Sequence, residues 1–211
     1  MIGRTVLLIL VVVVLALAGH AQDGNRNEVG LLLGIHATPG LTVPNPAFDD
    51  IEFGTGVTFQ ATYARHLAEH ERVRLSLELP FLAAPTVKIE TANGSVPLQY
   101  ASLFLTPGLR VSFKPRAAVS PWLSIGAGYA LFEQASELQS GAANFNTALQ
   151  HTGAVQFGAG VNIPTPVRVL FPISVRVEVR DLYSGKPDYN VDTGGGLQHN
   201  LVFSGGFAVH F

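Results

Sequence analysis

The chain has 211 residues, enough for one domain with its own core, and a formal net charge of −2. That mildly acidic balance argues against a nucleic-acid partner, which demands a basic face. The absence of cysteine excludes disulfides, thiolate metal sites, a cysteine nucleophile and a lipid-bearing cysteine.

Met1 to Arg4 is a short cationic start, and Thr5 to Ala18 is an apolar run. Gly19 and Ala21 then stand three back and one back from a cut before Gln22. This three-part plan predicts a secretory signal peptide over 1–21, since the run is shorter than the ~20 residues of a spanning helix. The remaining 22–211 reads as one domain without a linker. It has no run of 18 apolar residues, yet only 13% of the chain is charged. Either most of it is core, or part of its exterior faces something other than water.

From there alternation of period two dominates, the mark of strands with two unlike faces. A first strand sets Val29, Leu31, Leu33 and Ile35 on one side. A second alternates Val57, Phe59, Ala61 and Tyr63 with Thr58, Gln60 and Thr62. The third is the clearest: Val73, Leu75, Leu77, Leu79 and Phe81 against Arg74, Ser76, Glu78 and Pro80. A fourth runs from Ala101 to Val111 and a fifth from Leu123 to Leu131. A sixth runs from Val155 to Ile163 and a seventh from Ile173 to Arg180. The eighth sets Leu201, Phe203, Gly205, Phe207, Val209 and Phe211 against Asn200, Val202, Ser204, Gly206, Ala208 and His210.

Connections alternate in length. Long polar segments (37–55, 83–98, 133–150 and 184–198) follow odd strands and carry turn formers such as Asn93-Gly94, Asn144 and Gly194-Gly195-Gly196. Shorter ones (65–72, 114–120 and 164–170) follow even strands. An even strand count with this alternation predicts an all-β, eight-stranded antiparallel up-and-down transmembrane β-barrel, with both chain ends on the short-turn side.

Alternation alone does not say which face looks out. Small residues on the minor face (Gly108, Gly126, Gly128, Gly158, Gly160 and Gly206 among them) suit a lumen barely wide enough for side chains. The polar face gathers Arg74, Glu78, Arg110, Arg176, Glu178 and Arg180, an Arg and Glu set suited to mutual pairing in a closed lumen. Strands of about 9 to 13 residues match a tilted crossing. These observations predict greasy side chains outward and an ion network inside, against a soluble lipocalin-like barrel with the faces reversed.

The end of the chain carries a resemblance. Ser204, Gly206, Val209 and Phe211 resemble the C-terminal sorting signal of bacterial outer-membrane proteins. Segments 105–110 and 121–129 are similar to the fourth- and fifth-strand region of small outer-membrane β-barrel proteins of the OmpA, OmpX and OmpW type. The resemblance implies insertion by the outer-membrane barrel-assembly machinery and contact with outer-membrane lipids and lipopolysaccharide. It implies no cell-wall tether, since the periplasmic domain of full-length OmpA has no counterpart.

Other chemistry is weighed against plain structural roles. Glu78 and Glu178 are candidates for paired acid/base work, set against neutralisation of the arginines. His66 and His70 have i, i+4 spacing but fall in an expected turn. His199, near Ser204, is a candidate for lipid A hydrolysis. Asp49, Asp50 and Glu52 are candidates for divalent cations, set against a solvated loop tip. Tyr63, Phe81, Tyr100, Phe113, Trp122, Phe171, Tyr183 and Phe211 are read as interfacial girdles. No catalytic set, cofactor site or metal site emerges. The expected role is structural, adhesive or interactive through four surface loops. The alternative is passive passage of small apolar solutes past Phe48, Ile51 and Phe53.

Overall fold

The computed structural model describes residues 26–41, 50–168, 171–192 and 195–211. The expected signal peptide therefore lies outside the described residues.

Ten strands are present: β1 (Asn27–Ala37), β2 (Glu52–Phe53), β3 (Gly56–His70), β4 (Val73–Glu90), β5 (Gln99–Leu105), β6 (Gly108–Phe113), β7 (Ser120–Gln134), β8 (Gln150–Arg168), β9 (Pro172–Gly185) and β10 (Leu197–His210). They form eight staves of one antiparallel ring. β5 and β6 are a single stave interrupted at Thr106-Pro107, because Pro107 has no amide hydrogen for the ladder. The register runs through the interruption unchanged: Phe81 faces Leu105 and Glu78 faces Gly108. β2 is a short addition within the first long connection, paired to the top of β4.

β1 closes the ring, pairing β10 on one side (Leu31 with Phe207) and β3 on the other (Leu33 with Phe59). Closure leaves no free edge, a requirement for strands in hydrocarbon. No helix among the described residues is long and apolar enough to cross a membrane.

The staves are longer than the sequence pattern predicts. β4 has 18 residues and β8 has 19, beyond the ~9–11 of a tilted crossing. The excess is pairing that continues into the long connections. The expected turn over 65–72 shrinks to Glu71-Arg72, because β3 continues through a bulge between His66 and Ala68. His66 and His70 therefore lie on a strand, not in a turn.

Leu33, Ile35, Phe59, Leu123, Ile125, Phe157, Val177, Phe203 and Phe207 are each about half exposed or more, on the outside of the ring. Arg110, Arg176, Arg180, Glu78 and Glu178 are buried on the inside. The faces have the inverted order of a lipid-embedded barrel, in which hydrocarbon replaces water outside the apolar band.

Two corners lie on opposite sides of the ring, one between β10 and β1, the other between β5/β6 and β7. A Cβ placed on Gly206 would come within 2.1 Å of the Leu31 carbonyl oxygen, and one on Gly128 within 2.0 Å of that of Leu105. Only a residue without a side chain lets neighbouring backbones approach so closely where the sheet bends inward.

Candidate functional site

The interior divides into two halves. The half toward the short turns is ionic. Glu28 Oε1 accepts from Arg110 Nη2 at 2.8 Å and also from Arg176 Nη2. Glu78 Oε1 accepts from Arg180 Nη1 at 2.7 Å, while its Oε2 stands 3.3 Å from Arg110 Nη1. Glu178 Oε1 accepts from Arg180 Nε and from Gln60 Nε2, the latter at 2.6 Å. Arg176 Nε donates to Asn162 Oδ1 at 2.8 Å. Three guanidiniums thus meet three carboxylates, all essentially buried, in a neutral chain from stave to stave. Burying such charges costs several kcal/mol each unless they are paired, so the pairing is a condition of the fold.

At the centre of these arginines sits Trp122. Its ring lies 5.7 Å from the guanidinium carbon of Arg110, 5.6 Å from that of Arg176 and 5.3 Å from that of Arg180. The indole face attracts each cation while its bulk fills the bore. Gly160 on β8 makes the room: a Cβ there would stand 2.6 Å from the Trp122 ring.

The expected network and the observed one differ at two members. Arg74 stands apart, at the rim, bonded to Glu69 at 2.7 Å. It shares the parity of Glu78 but lies near the start of β4, where the bore opens to solvent. Glu28 belongs to the network and is absent from the expected set, although its even position beside Gly30 and Gly34 puts it on the inward face of β1. The girdle reading also needs two corrections. Trp122 and Tyr100 are about 1% exposed and point inward. Both sit on even positions, and the parity of their strands decides their side.

The half toward the long loops holds the apolar core, with buried polar side chains such as His36, Gln198 and Asn200 around it. Leu82, Val87, Tyr100, Phe104, Phe132 and Leu182 from the staves enclose a core. The loops complete it with Ile51, Val96 and Tyr189, each buried. Phe53 packs on Tyr189 with ring centroids 5.4 Å apart and edge-on to Tyr100 at 5.8 Å. Tyr100 meets Tyr189 at 5.9 Å. Tyr189 donates its hydroxyl to Gln198 Oε1 at 3.2 Å. In this loop, outside the spanning strands, burial and then the nearby Tyr100 push the Tyr189 phenol well above its ordinary value.

Above this core the loops are tied by amides. Asn144 Nδ2 donates to Gln134 Oε1 at 2.9 Å, and Asn190 Nδ2 donates to Asn144 Oδ1 at 3.2 Å and to the Ser95 carbonyl at 3.3 Å. Asn190 holds a φ of 65°, which asparagine tolerates well. Ile51 and Phe53, expected at an apolar rim, are instead part of the plug; Phe48 and Asp49 lie outside the described residues.

The remaining candidates separate. Glu78 and Glu178 both bind Arg180 and are at most 4% exposed, so no solvent-borne proton acceptor reaches them. His199 faces outward, its Nδ1 2.8 Å from Asp181 Oδ2, while Ser204 points into the lumen. Odd and even positions of one strand do not converge, so these two form no catalytic pair. Among the described residues no group of three His, Asp or Glu suits a metal ion. Of the sorting-signal positions, Ser204 is buried in the lumen, Gly206 sits at the β10–β1 corner, and the Phe211 ring lies 5.8 Å from that of Phe171.

No family model matches the chain, and no curated protein matches it. Solved structures do. Neisserial surface protein A is 11% identical with a TM-score of 0.52, covering 90% of this chain and 100% of its own. The outer membrane protein OprG from Pseudomonas aeruginosa is 10% identical with a TM-score of 0.50, covering 90% of this chain and 98% of its own. Likeness over whole chains, at so low an identity, is likeness of fold. The fold of this chain is that of the small eight-stranded outer-membrane β-barrels.

Proposed function

We propose that the chain is an integral protein of a bacterial outer membrane with a structural, adhesive or interaction role carried by its loop end, and that it is neither a pore nor an enzyme. The observation that carries this reading is the double filling of the bore. Paired charges and Trp122 occupy one half, and an apolar core sealed by Tyr189 occupies the other. Single-channel recording in planar bilayers tests it. The expected trace is silent, and a steady nanosiemens conductance would overturn the closed reading.

On this reading 1–21 is removed on export, the turn end faces the periplasm, and the loop end meets lipopolysaccharide. The terminal positions Ser204, Gly206, Val209 and Phe211 serve the barrel-assembly machinery. Deleting Phe211 should reduce the folded, heat-modifiable form in cells while purified protein still refolds in detergent. Equal yields in cells would remove the sorting role.

A second reading, passage of a small apolar solute, is favoured by one feature: the plug under the loops is an aromatic cluster of Phe53, Tyr100, Phe132 and Tyr189, apolar enough to give way to such a solute. Tyr189→Ala would open it from above. Uptake of apolar probes that rises in this variant would support the reading, and unchanged uptake on deletion of the gene would count against it.

A further inference from the structure

The two ends of the barrel differ in charge. The turn end carries Arg26, Arg65, Arg72, Arg74, Lys114 and Arg116 against Glu69 and Glu71. Glu69 is already shared, 2.7 Å from Arg74 and 3.1 Å from Arg116. Arg65, Arg72 and Lys114 are exposed and form no ion pair with another described residue. The loop end is acidic, with Asp50, Glu52, Glu90, Glu137, Asp188 and Asp192 against Lys88 and Lys186. The lumen between is neutral, so nothing inside offsets the contrast.

Backbone geometry concentrates the cations. The Lys114 amide donates to the Arg72 carbonyl at 2.7 Å, tying the first turn to the second. Lys114 adopts a φ of 48°, closing its own turn through the Ala117 amide at 2.9 Å. Arg72, Lys114 and Arg116 are thereby gathered on two adjoining turns. Apolar side chains stand among them: Leu67 is 54% exposed, Val119 48%, Phe113 39% and Val73 39%. A surface that alternates cations with exposed apolar groups, where the apolar band of a barrel ends, matches the layer in which lipid phosphates meet acyl chains.

We propose that the cationic turn rim binds the headgroups of anionic phospholipids in the leaflet on the turn side. The inference rests on the outer-membrane reading above. An anionic cell-wall polymer would answer the charge but leaves the exposed Leu67, Val73, Phe113 and Val119 without a purpose, so lipid is the partner the rim fits. Each cation near an anionic surface favours association by roughly fivefold at moderate salt.

The test uses the full barrel refolded into bilayers of equal phosphatidylcholine and phosphatidylglycerol, then extracted gently and weighed with its bound lipids by native mass spectrometry. The expected result is retention of phosphatidylglycerol over phosphatidylcholine by about threefold or more at low salt, falling toward parity at high salt. The variant R65Q/R72Q/K114Q/R116Q should lose the preference while staying heat-modifiable. R72Q/K114Q should lose part of it, which keeps the test open if the fourfold variant does not fold. K88Q/K186Q, at the other end, should keep it. Parity in the unaltered protein, or a preference that survives R72Q/K114Q undiminished, would overturn the proposal. So would parity combined with binding to isolated peptidoglycan that R72Q/K114Q weakens. Entry into bilayers without preference removes this inference alone, whereas failure to enter any bilayer removes the membrane reading with it.

Discussion

The two halves of the bore solve one problem by opposite means. Toward the turns, every inward position comes from a stave, and the staves leave a narrow space fixed by the ring. Three arginines, three glutamates and one tryptophan fill it with a chain of charge-assisted bonds. Toward the loops, the space is closed by segments that fold back over it, and it is filled as the core of a soluble domain is, by aromatic and aliphatic packing. Charge pairing demands particular partners at particular positions. Apolar packing tolerates exchange of shape so long as volume is kept. The ionic half should therefore be the less forgiving of single changes.

The sharpest break of the comparison is Glu28→Ala. It leaves Arg110 and Arg176 short of their shared carboxylate in a closed space and should cost about 3–5 kcal/mol. Urea unfolding of the barrel in lipid vesicles measures it; a loss below that of a surface change would show that water reaches these arginines freely.

Gly160→Val should come next. Its side chain would overlap both the Trp122 ring and the Val177 carbonyl, each 2.6 Å from the new Cβ, for a loss of about 1–3 kcal/mol in the same assay. Near-neutrality would mean that Trp122 has room to move.

In the apolar half the titration of Tyr189 sharpens the contrast. Its phenol is raised above its ordinary value of 10.0, so the folded loop prefers the protonated form. The resulting stability is fully present below pH 10 and is lost as pH rises through the higher folded value. Absorbance at 295 nm should show the Tyr189 phenolate appearing late in the alkaline titration. Tyr189→Phe should lower the amplitude of the late absorbance change and remove the alkaline opening of the loop. Titration of this phenol with the exposed ones would break the sealed-loop picture.

The smallest effect is expected at Arg74→Ala. Its pair with Glu69 is partly solvated, with side chains 20% and 28% exposed, and exposed pairs contribute about 0–1 kcal/mol. A loss as large as that of Glu28→Ala would put Arg74 back among the lumenal charges.

Much of the candidate site was legible along the chain, for a physical reason that also marks its limit. Arg110, Arg176, Arg180, Glu78 and Glu178 were placed inward because a strand reverses its side-chain direction at every residue, so each position inherits its side from its neighbours. The same rule applied strictly would have turned Trp122 and Tyr100 inward and added Glu28. Aromatic character at strand ends points to a girdle, but parity prevails in the fold. Arg74 shows the reverse limit. Parity assigns a face, but not a depth along the axis, and depth decides whether a charge meets solvent.

By itself the amino-acid order determined the inverted barrel, since alternation, strand count, the rhythm of short and long connections, and the small residues and Arg/Glu set of the minor face are all read along the chain. Only the tertiary structure decided which charges pair, because Arg110 and Glu28 are 82 residues apart and Arg176 and Glu28 are 148 apart. It alone decided that loops carrying Ile51 and Tyr189 turn inward to seal the bore. Those outcomes depend on ring closure, which brings distant staves within bonding distance across a space that no local pattern measures.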